Sequence, residues 1–381
     1  MKRILEFSIC LLIVTSFFYM KPVVSSYNQP KPKNDLIVEE VKVSHKSVPY
    51  YELNTTGMAV HIGKTKQEFL KEFPNPKKDL TSFHGTEWLI YGDNTEDYYQ
   101  VEIKNHVVSS IFLLGDHLES SPFSMGMNLV DLAEITTIFS NFNFEYGDEK
   151  YEVELTEDDM NYRPLVAFNN GTFAMLHINQ GNGQLMAIRY LDKNSLLSIM
   201  PYQMNQENKV KDNLETSDEA WQQVNQDNRE QLISILNLLR LREDKNSYQV
   251  DTKLQLGTTK SLEVLQKNPE VVFTEPERMD MWKKVSEEKD ESKSFLLNSK
   301  EISSLANETE LDEKKTHGIF YYPVSDIPFM ITNWYGSRFF HEELTHKKDK
   351  LIGVSFEKEM VMTFLGPENE NEQTKESSGE K

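Results

Sequence analysis

The sequence predicts an α+β protein: an N-terminal domain built from a duplicated helix-plus-antiparallel-meander unit, then a C-terminal α-β-α sandwich. Three observations lead there. Residues 51–200 hold two helix-like patterns, each followed by runs that alternate apolar and polar residues. Asn169-Asn170-Gly171 and Gly181-Asn182-Gly183 separate such runs and read as hairpin turns. Asn228–Arg242 (NREQLISILNLLRLR) carries Leu232, Ile235, Leu236 and Leu239 at helical spacing, and strand-like runs return after it.

The chain opens on a different pattern. Lys2 and Arg3 precede an apolar stretch, Phe7–Met20 (FSICLLIVTSFFYM), which Lys21-Pro22 ends and Val23-Val24-Ser25-Ser26 follows. A basic start, an apolar centre and small residues are the layout of an export signal. At about 14 residues the apolar run is short of the roughly 20 that a spanning helix needs. Residues 1–26 are therefore read as a signal peptide cleaved after Ser25 or Ser26, with an uncleaved anchor as the alternative. Residues 27–50, polar with Pro and Lys, read as a linker.

The first copy of the repeat runs from MAVHIGKTKQEFLKEF (Met58–Phe73) into EWLIYG, DYYQVEIKN and VVSSIFLLG. The second runs from SPFSMGMNLVDLAEITTIF (Ser121–Phe139) into YEVEL, LVAFNNG, TFAMLHIN and QLMAIRYL. Each has a Gly just before its helix, Gly63 and Gly126. Trp88, Tyr91, Tyr98 and Tyr99 fall at strand spacing and belong in the core rather than on a binding face. Residues 51–205 form this domain, and 206–225, rich in Asn, Gln, Asp and Glu, form a second linker or a lead-in to the next helix.

The C-terminal domain is placed at 226–365. After Asn228–Arg242 comes a second helical pattern at Leu254–Leu265; residues 283–316 are charged and read as helix and loop. GIFYYPV, FMITNWYGS, LIGVSFEKE and MVMTFLG read as strands, with a helix after the Trp334 strand. Residues 366–381 read as a disordered acidic tail.

Composition narrows the function. The net charge of −20 repels polyanions, so nucleic acid is not an expected partner, and a membrane is contacted only through an uncleaved N-terminal segment. The single cysteine, Cys10, lies in the export segment. That leaves no disulfide, thiolate ligand or thiol nucleophile beyond it. No G-x-S-x-G elbow, phosphate-binding loop, G-x-G-x-x-G or H-E-x-x-H occurs.

Several segments, taken in order, resemble the bacterial CAP superfamily of cysteine-rich secretory, antigen 5 and pathogenesis-related proteins. ILNLLR (Ile235–Arg240) resembles its opening helix with an Asn-x-x-Arg core, and VDTKLQ (Val250–Gln255) its L-x-x-D-x-x-L segment. NWYGSRFFHEEL (Asn333–Leu344) resembles W-x-x-S-x-x-H-R-x-x-L, and LIGVSF with MVMTFLG its closing strands. IGKTKQEFLKEFPNP, EWLIYG and VEIKNHVVSSIF resemble the CAP-associated domain that precedes it in exported Bacillus-type proteins. The resemblance spans roughly residues 55–365.

It implies an open cleft where two His and two Glu converge and can hold a divalent metal. His341, seven residues after Trp334, is set at the second family His, and is the one metal-ligand candidate. Glu275 stands where the first His is expected, in Phe273-Thr274-Glu275. The Gly-Glu-Asn signature is missing, and Ala306-Asn307-Glu308 is its nearest remnant. His341, Glu275 and Glu308 are thus the candidates for a degenerate cleft, with His317 the spare His of the domain. No cofactor is expected, because a site without half its ligands loses most of its affinity for a divalent cation. His341 and His346, five apart, do not share a helical face.

The expected function is that of an exported, non-catalytic protein, secreted or held in the cell envelope, that binds protein or cell-wall ligands. The open edges of the N-terminal sheets are its expected docking surfaces. The alternative is a metal-assisted hydrolase working around His341. A third reading is a structural module that forms homo-oligomers.

Overall fold

The computed structural model describes residues 49–204, 217–286 and 294–368. The expected export segment, most of the first linker and nearly all of the tail lie outside them. So do residue 205 and residues 206–216 of the second expected linker.

The duplication is visible at atomic detail. Helix α1 (Lys66–Glu72) starts from a Thr65–Glu68 capping box, and α2 (Leu129–Ile135) from an Asn128–Asp131 one. Gly63 (φ +87°) and Gly126 (φ +84°) stand two residues before each cap, in a left-handed backbone that favours glycine. In the first copy Gly63 N–H donates to Val108 O, and Val108 N–H to Lys64 O. In the second, Gly126 N–H donates to Leu185 O, and Leu185 N–H to Met127 O. Both segments therefore clip to the start of the last strand of their own meander.

The two meanders fuse into one sheet. Strands β2 (Lys78–Thr81), β3 (Glu87–Tyr91), β4 (Tyr99–Lys104) and β5 (Val107–Leu113) belong to the first copy, while the short β1 (Glu52–Leu53) that precedes it pairs with a strand of the second. After β6 (Asn141–Tyr146), β7 (Glu149–Glu154) and helix α3 (Glu157–Tyr162) come β8 (Leu165–Phe168), β9 (Phe173–Ile178) and β10 (Leu185–Leu191). The order is β1-β8-β9-β10-β5-β4-β3-β2, with β10 and β5 antiparallel at the seam, Tyr190 opposite Ile111. Strands β6 and β7 form a small separate sheet with β11 (Gln203–Met204), beyond helix α4 (Lys193–Ile199). The inner edges of the two copies thus pair with each other. This corrects the expectation of free edges there. The outer edge at β2 is covered as well: Thr81 N–H donates to Asp227 on the long helix that follows, at 2.8 Å.

That helix, α5 (Asp218–Arg242), begins at a Ser217 cap. Residues 218–225 are therefore its first two turns rather than linker; their Gln and Asn content hid a helix whose stripe is strongest further on. The sandwich then follows. A five-stranded sheet runs β12 (Gln249–Val250), β15 (Asp349–Glu357), β16 (Met360–Pro367), β14 (His317–Tyr322), β13 (Phe295–Leu296). Helices α6 (Thr252–Lys267), α7 (Pro276–Ser286) and α8 (Ser299–Glu308) contribute one layer: Leu262, Leu265, Trp282 and Leu305 share a core with Phe320, Met362 and Phe364. On the other face, Ile319, Ile352, Val354 and Leu365 pack with α5 and with α9 (Ile327–Gly336). Helix α10 (Arg338–Leu344) follows α9 directly.

Phe329–Ser337 is thus helical and not a strand. Asp326 caps α9, accepting from Phe329 N–H, and Pro328 sits in its first turn. Nearly all of α9 is buried, so no polar face breaks its apolar run, and a continuous apolar run reads alike as strand or buried helix.

The two expected domains share one core. Leu80, Phe83, Trp88, Ile90 and Phe112 of the N-terminal sheet join Leu232, Ile235, Leu236 and Leu239 of α5 and Ile331 and Trp334 of α9. Burying a Leu or Ile side chain is worth about 1.5–3 kcal/mol, so these contacts hold the halves together firmly. Trp88, Tyr91 and Tyr98 are buried and Tyr99 is half-buried; Trp334, expected in the core, is buried on a helix rather than a strand.

Candidate functional site

The pattern W-x-x-S-x-x-H puts its His six residues after the Trp. Here that place is Phe340, whose ring packs on Trp334 with 5.9 Å between centroids. His341 is one residue on, roughly 100° further round a helix. Its ring turns to the C-terminal end of α5. Nδ1 lies 2.8 Å from Tyr335 O, and Nε2 lies 3.3 Å from Glu243 Oε2. Tyr335 meets the ring edge-on, 4.8 Å between centroids.

Both neighbours of His341 are acceptors. A carbonyl cannot donate, so Nδ1 carries a proton; the carboxylate at Nε2 favours a second. The hydrogen bond to Glu243 raises the His341 pKa above 6.5; burial opposes it, and the Tyr335 carbonyl assists. Burial alone would raise the Glu243 carboxyl, but His341 and Lys245, whose Nζ donates at 2.5 Å, outweigh it and hold it at about 2. His341, Glu243 and Lys245 form a cluster about a quarter exposed, in which the imidazolium form of His341 is favoured. An imidazolium has no lone pair for a metal and no capacity as a base.

The other two candidates lie apart from it. Glu275 is exposed ahead of α7, where its carbonyl accepts from Arg278 and Met279 N–H. Glu308 is exposed at the end of α8. Among the described residues His341, Glu275 and Glu308 bring no three ligand atoms together. His317 does not supply the missing partner either: its Nδ1 faces Glu343, at 3.8 Å, and its ring faces His346. The loss has a physical reason. The ring in the cleft His position is a phenyl packed on Trp334, and the imidazole beside it is occupied by Glu243.

The Asn-x-x-Arg core does structural work nearby. Asn237 brackets Tyr248, donating to its carbonyl and accepting from its N–H. Arg240 donates to Asn246 O at 2.9 Å and Leu344 O at 2.6 Å, and its guanidinium lies 3.7 Å over the Tyr248 ring. It ties the end of α10 to the end of α5.

Sequence reasoning missed the largest polar feature. Arg189 on β10 is buried and grips Asp326 at the head of α9 with two hydrogen bonds of 3.0 and 2.9 Å. It also reaches Ser110 and Glu102, and stacks over Trp88 at 4.7 Å. A lone Arg in an apolar strand run (QLMAIRYL) was the available signal. Two concavities accompany the fold. One, of about 120 Å³, lies among Arg163, His177, Met186 and Asn333; it falls well below the ~300 Å³ of a small-molecule site. The other, about 360 Å³, is an open groove lined by Gln222, Gln226, Arg229, Gln255 and Thr259 of α5 and α6 and by Ser355.

With this geometry in view, the comparisons are direct. Residues 62–202 match the family model described as "CAP-associated N-terminal". The N-terminal part of the chain is thus similar to that family. Beyond it the chain has the SCP fold. It superposes with TM-score 0.66 on an extracellular protein containing a SCP domain from Bacillus anthracis, at 15% identity, covering 89% of this chain and all of that one. It superposes with TM-score 0.68 on a cysteine-rich secretory protein from Staphylococcus aureus, at 17% identity, covering 84% of this chain and 99% of that one. The Bacillus subtilis protein called "Uncharacterized membrane protein YlbC" is 23% identical over 361 residues, 94% of this chain and 97% of its own length. The part matched by that model meets the rest of the chain through the shared apolar core and the Arg189–Asp326 pair. Among the described residues no helix is long and apolar enough to cross a membrane.

Proposed function

We propose that this is an exported CAP-superfamily protein that works outside the cytoplasmic membrane, in the envelope or the medium, as a non-catalytic binder of cell-wall or protein ligands. The observation that carries the reading is the state of His341. Both of its ring nitrogens point at acceptors and Lys245 balances its carboxylate partner, so the residue set at the cleft His serves as a structural cation. The groove between α5 and α6 supports the binding half of the reading. Its amides and hydroxyls, among them Asn225 Oδ1 without a hydrogen-bond partner, are joined by Arg229, Glu263 and Glu357, a mixed polar lining that suits a polar polymer better than an apolar ligand. The basic and apolar start at Lys2–Met20 supports export.

The test is incubation of the purified full chain with isolated cell-wall sacculi. Retention without release of soluble fragments, reduced by Thr259→Trp in the groove, is the expected result. Release of fragments that His341→Ala abolishes would instead establish the metal-assisted hydrolase.

A further inference from the structure

At the starts of β14 and β15 three side chains converge that no motif connects. His317, His346 and Asp349 each offer one ligand atom, and these atoms all lie within 4.8 Å of one another. His346 Nδ1 is 3.4 Å from Asp349 Oδ2. An ion with bonds of about 2.05 Å and tetrahedral angles sets its ligand atoms roughly 3.3 Å apart, so this pair already has the required edge. His346 stands beyond the end of α10, in the turn that Asp349 N–H closes on His346 O at 3.2 Å. Helical spacing therefore does not govern it.

The second, independent observation is Asp349 itself. Its side chain is 1% exposed, and Oδ2 is buried without a hydrogen-bond partner. The 3.4 Å approach of His346 is an ion-pair contact and leaves that oxygen without a donor. A buried carboxylate oxygen with no partner is costly, and a cation between it and the two imidazoles would remove the cost. The two His are about half exposed, so an ion can enter from solvent. The frame is held in advance: Arg240 binds Leu344 O on one side of the turn and reaches Asp349 O at 3.5 Å on the other.

We propose that His317, His346 and Asp349 form a site for one divalent transition-metal ion of the zinc type. Two imidazoles and one carboxylate select such an ion over calcium or magnesium, which prefer all-oxygen sets. Glu343, beside His317, or water completes the shell. None of these residues is the cleft His341. The ion would clamp the turn after α10 to the starts of β14 and β15.

The test is calorimetric titration of the chelator-treated full chain with zinc chloride, and cobalt(II) titration read by visible absorption. The proposal expects one ion per chain and cobalt bands of tetrahedral intensity. His317→Ala and His346→Ala should each weaken binding at least ~tenfold, while His341→Ala should leave it in place. Absence of binding, binding unchanged in both His variants, or binding lost with His341→Ala would overturn it. Should circular dichroism show His346→Ala unfolded, His317→Gln at the half-exposed position gives the same readout. Wall retention by the same protein reports on the groove separately.

Discussion

At the scale of single residues, one position separates His341 from the place that the pattern gives its His. Phe340 fills the place of the pattern's His, and His341 is aimed at Glu243 and the Tyr335 carbonyl. Its energetic trace is a pH window. The raised His341 contributes stability that is complete below 6.5 and is lost as pH rises through its folded value. Glu243, lowered to about 2, contributes stability that is complete above 4.5 and is lost as pH falls toward about 2. Between 4.5 and 6.5 both act. There Glu243→Gln should lower stability by about 1.5–3 kcal/mol, the scale of a charge-assisted hydrogen bond, and the deficit should shrink at higher pH. Thermal unfolding of the two proteins across pH measures it. The motif around His341 was legible in the sequence. Its partner was not, because Glu243 lies almost a hundred residues away at the end of another helix.

At the scale of elements, the strongest constraint is a glycine. Gly353 on β15 lets the first turn of α6 lie on the strand: a Cβ there would come within 2.3 Å of Leu254 C. The obstacle is backbone, which cannot rotate away. Gly353→Ala should therefore cost at least about 1–3 kcal/mol, the range of overpacking, in chemical denaturation. A loss below a few tenths would mean that α6 does not sit as described. Alternation and hairpin turns made β3–β5 and β8–β10 readable, and the glycine-plus-helix spacing disclosed the repeat. The strand reading of Phe329–Ser337 failed for a definite reason. Periodicity identifies a helix by its polar face, and α9 has almost none.

At the scale of the whole molecule, the two expected domains share one apolar core. The seam is apolar around α5, with a polar layer in which Gln231 donates to Gln100 at 2.6 Å, and it is pinned by Arg189 on Asp326 and Glu102. Such long-range pairing cannot be seen in local patterns, since Arg189 and Asp326 belong to different halves of the sequence. Arg189→Met would leave two buried carboxylates without their cation, and should cost roughly 3–5 kcal/mol. Urea denaturation followed by tryptophan fluorescence should show one transition in the natural protein at a higher midpoint than in the variant. Two separated transitions in the natural protein would show that the halves fold independently.

In the proposed function His341 is a structural cation rather than a ligand or a base. The most direct measurement is its side-chain titration by NMR, assigned with His341→Ala and repeated in Glu243→Gln. The expected result is a pKa above 6.5 that falls when Glu243 is neutralised. A value at or below 6.5, insensitive to Glu243→Gln, would contradict it and return His341 to a working cleft.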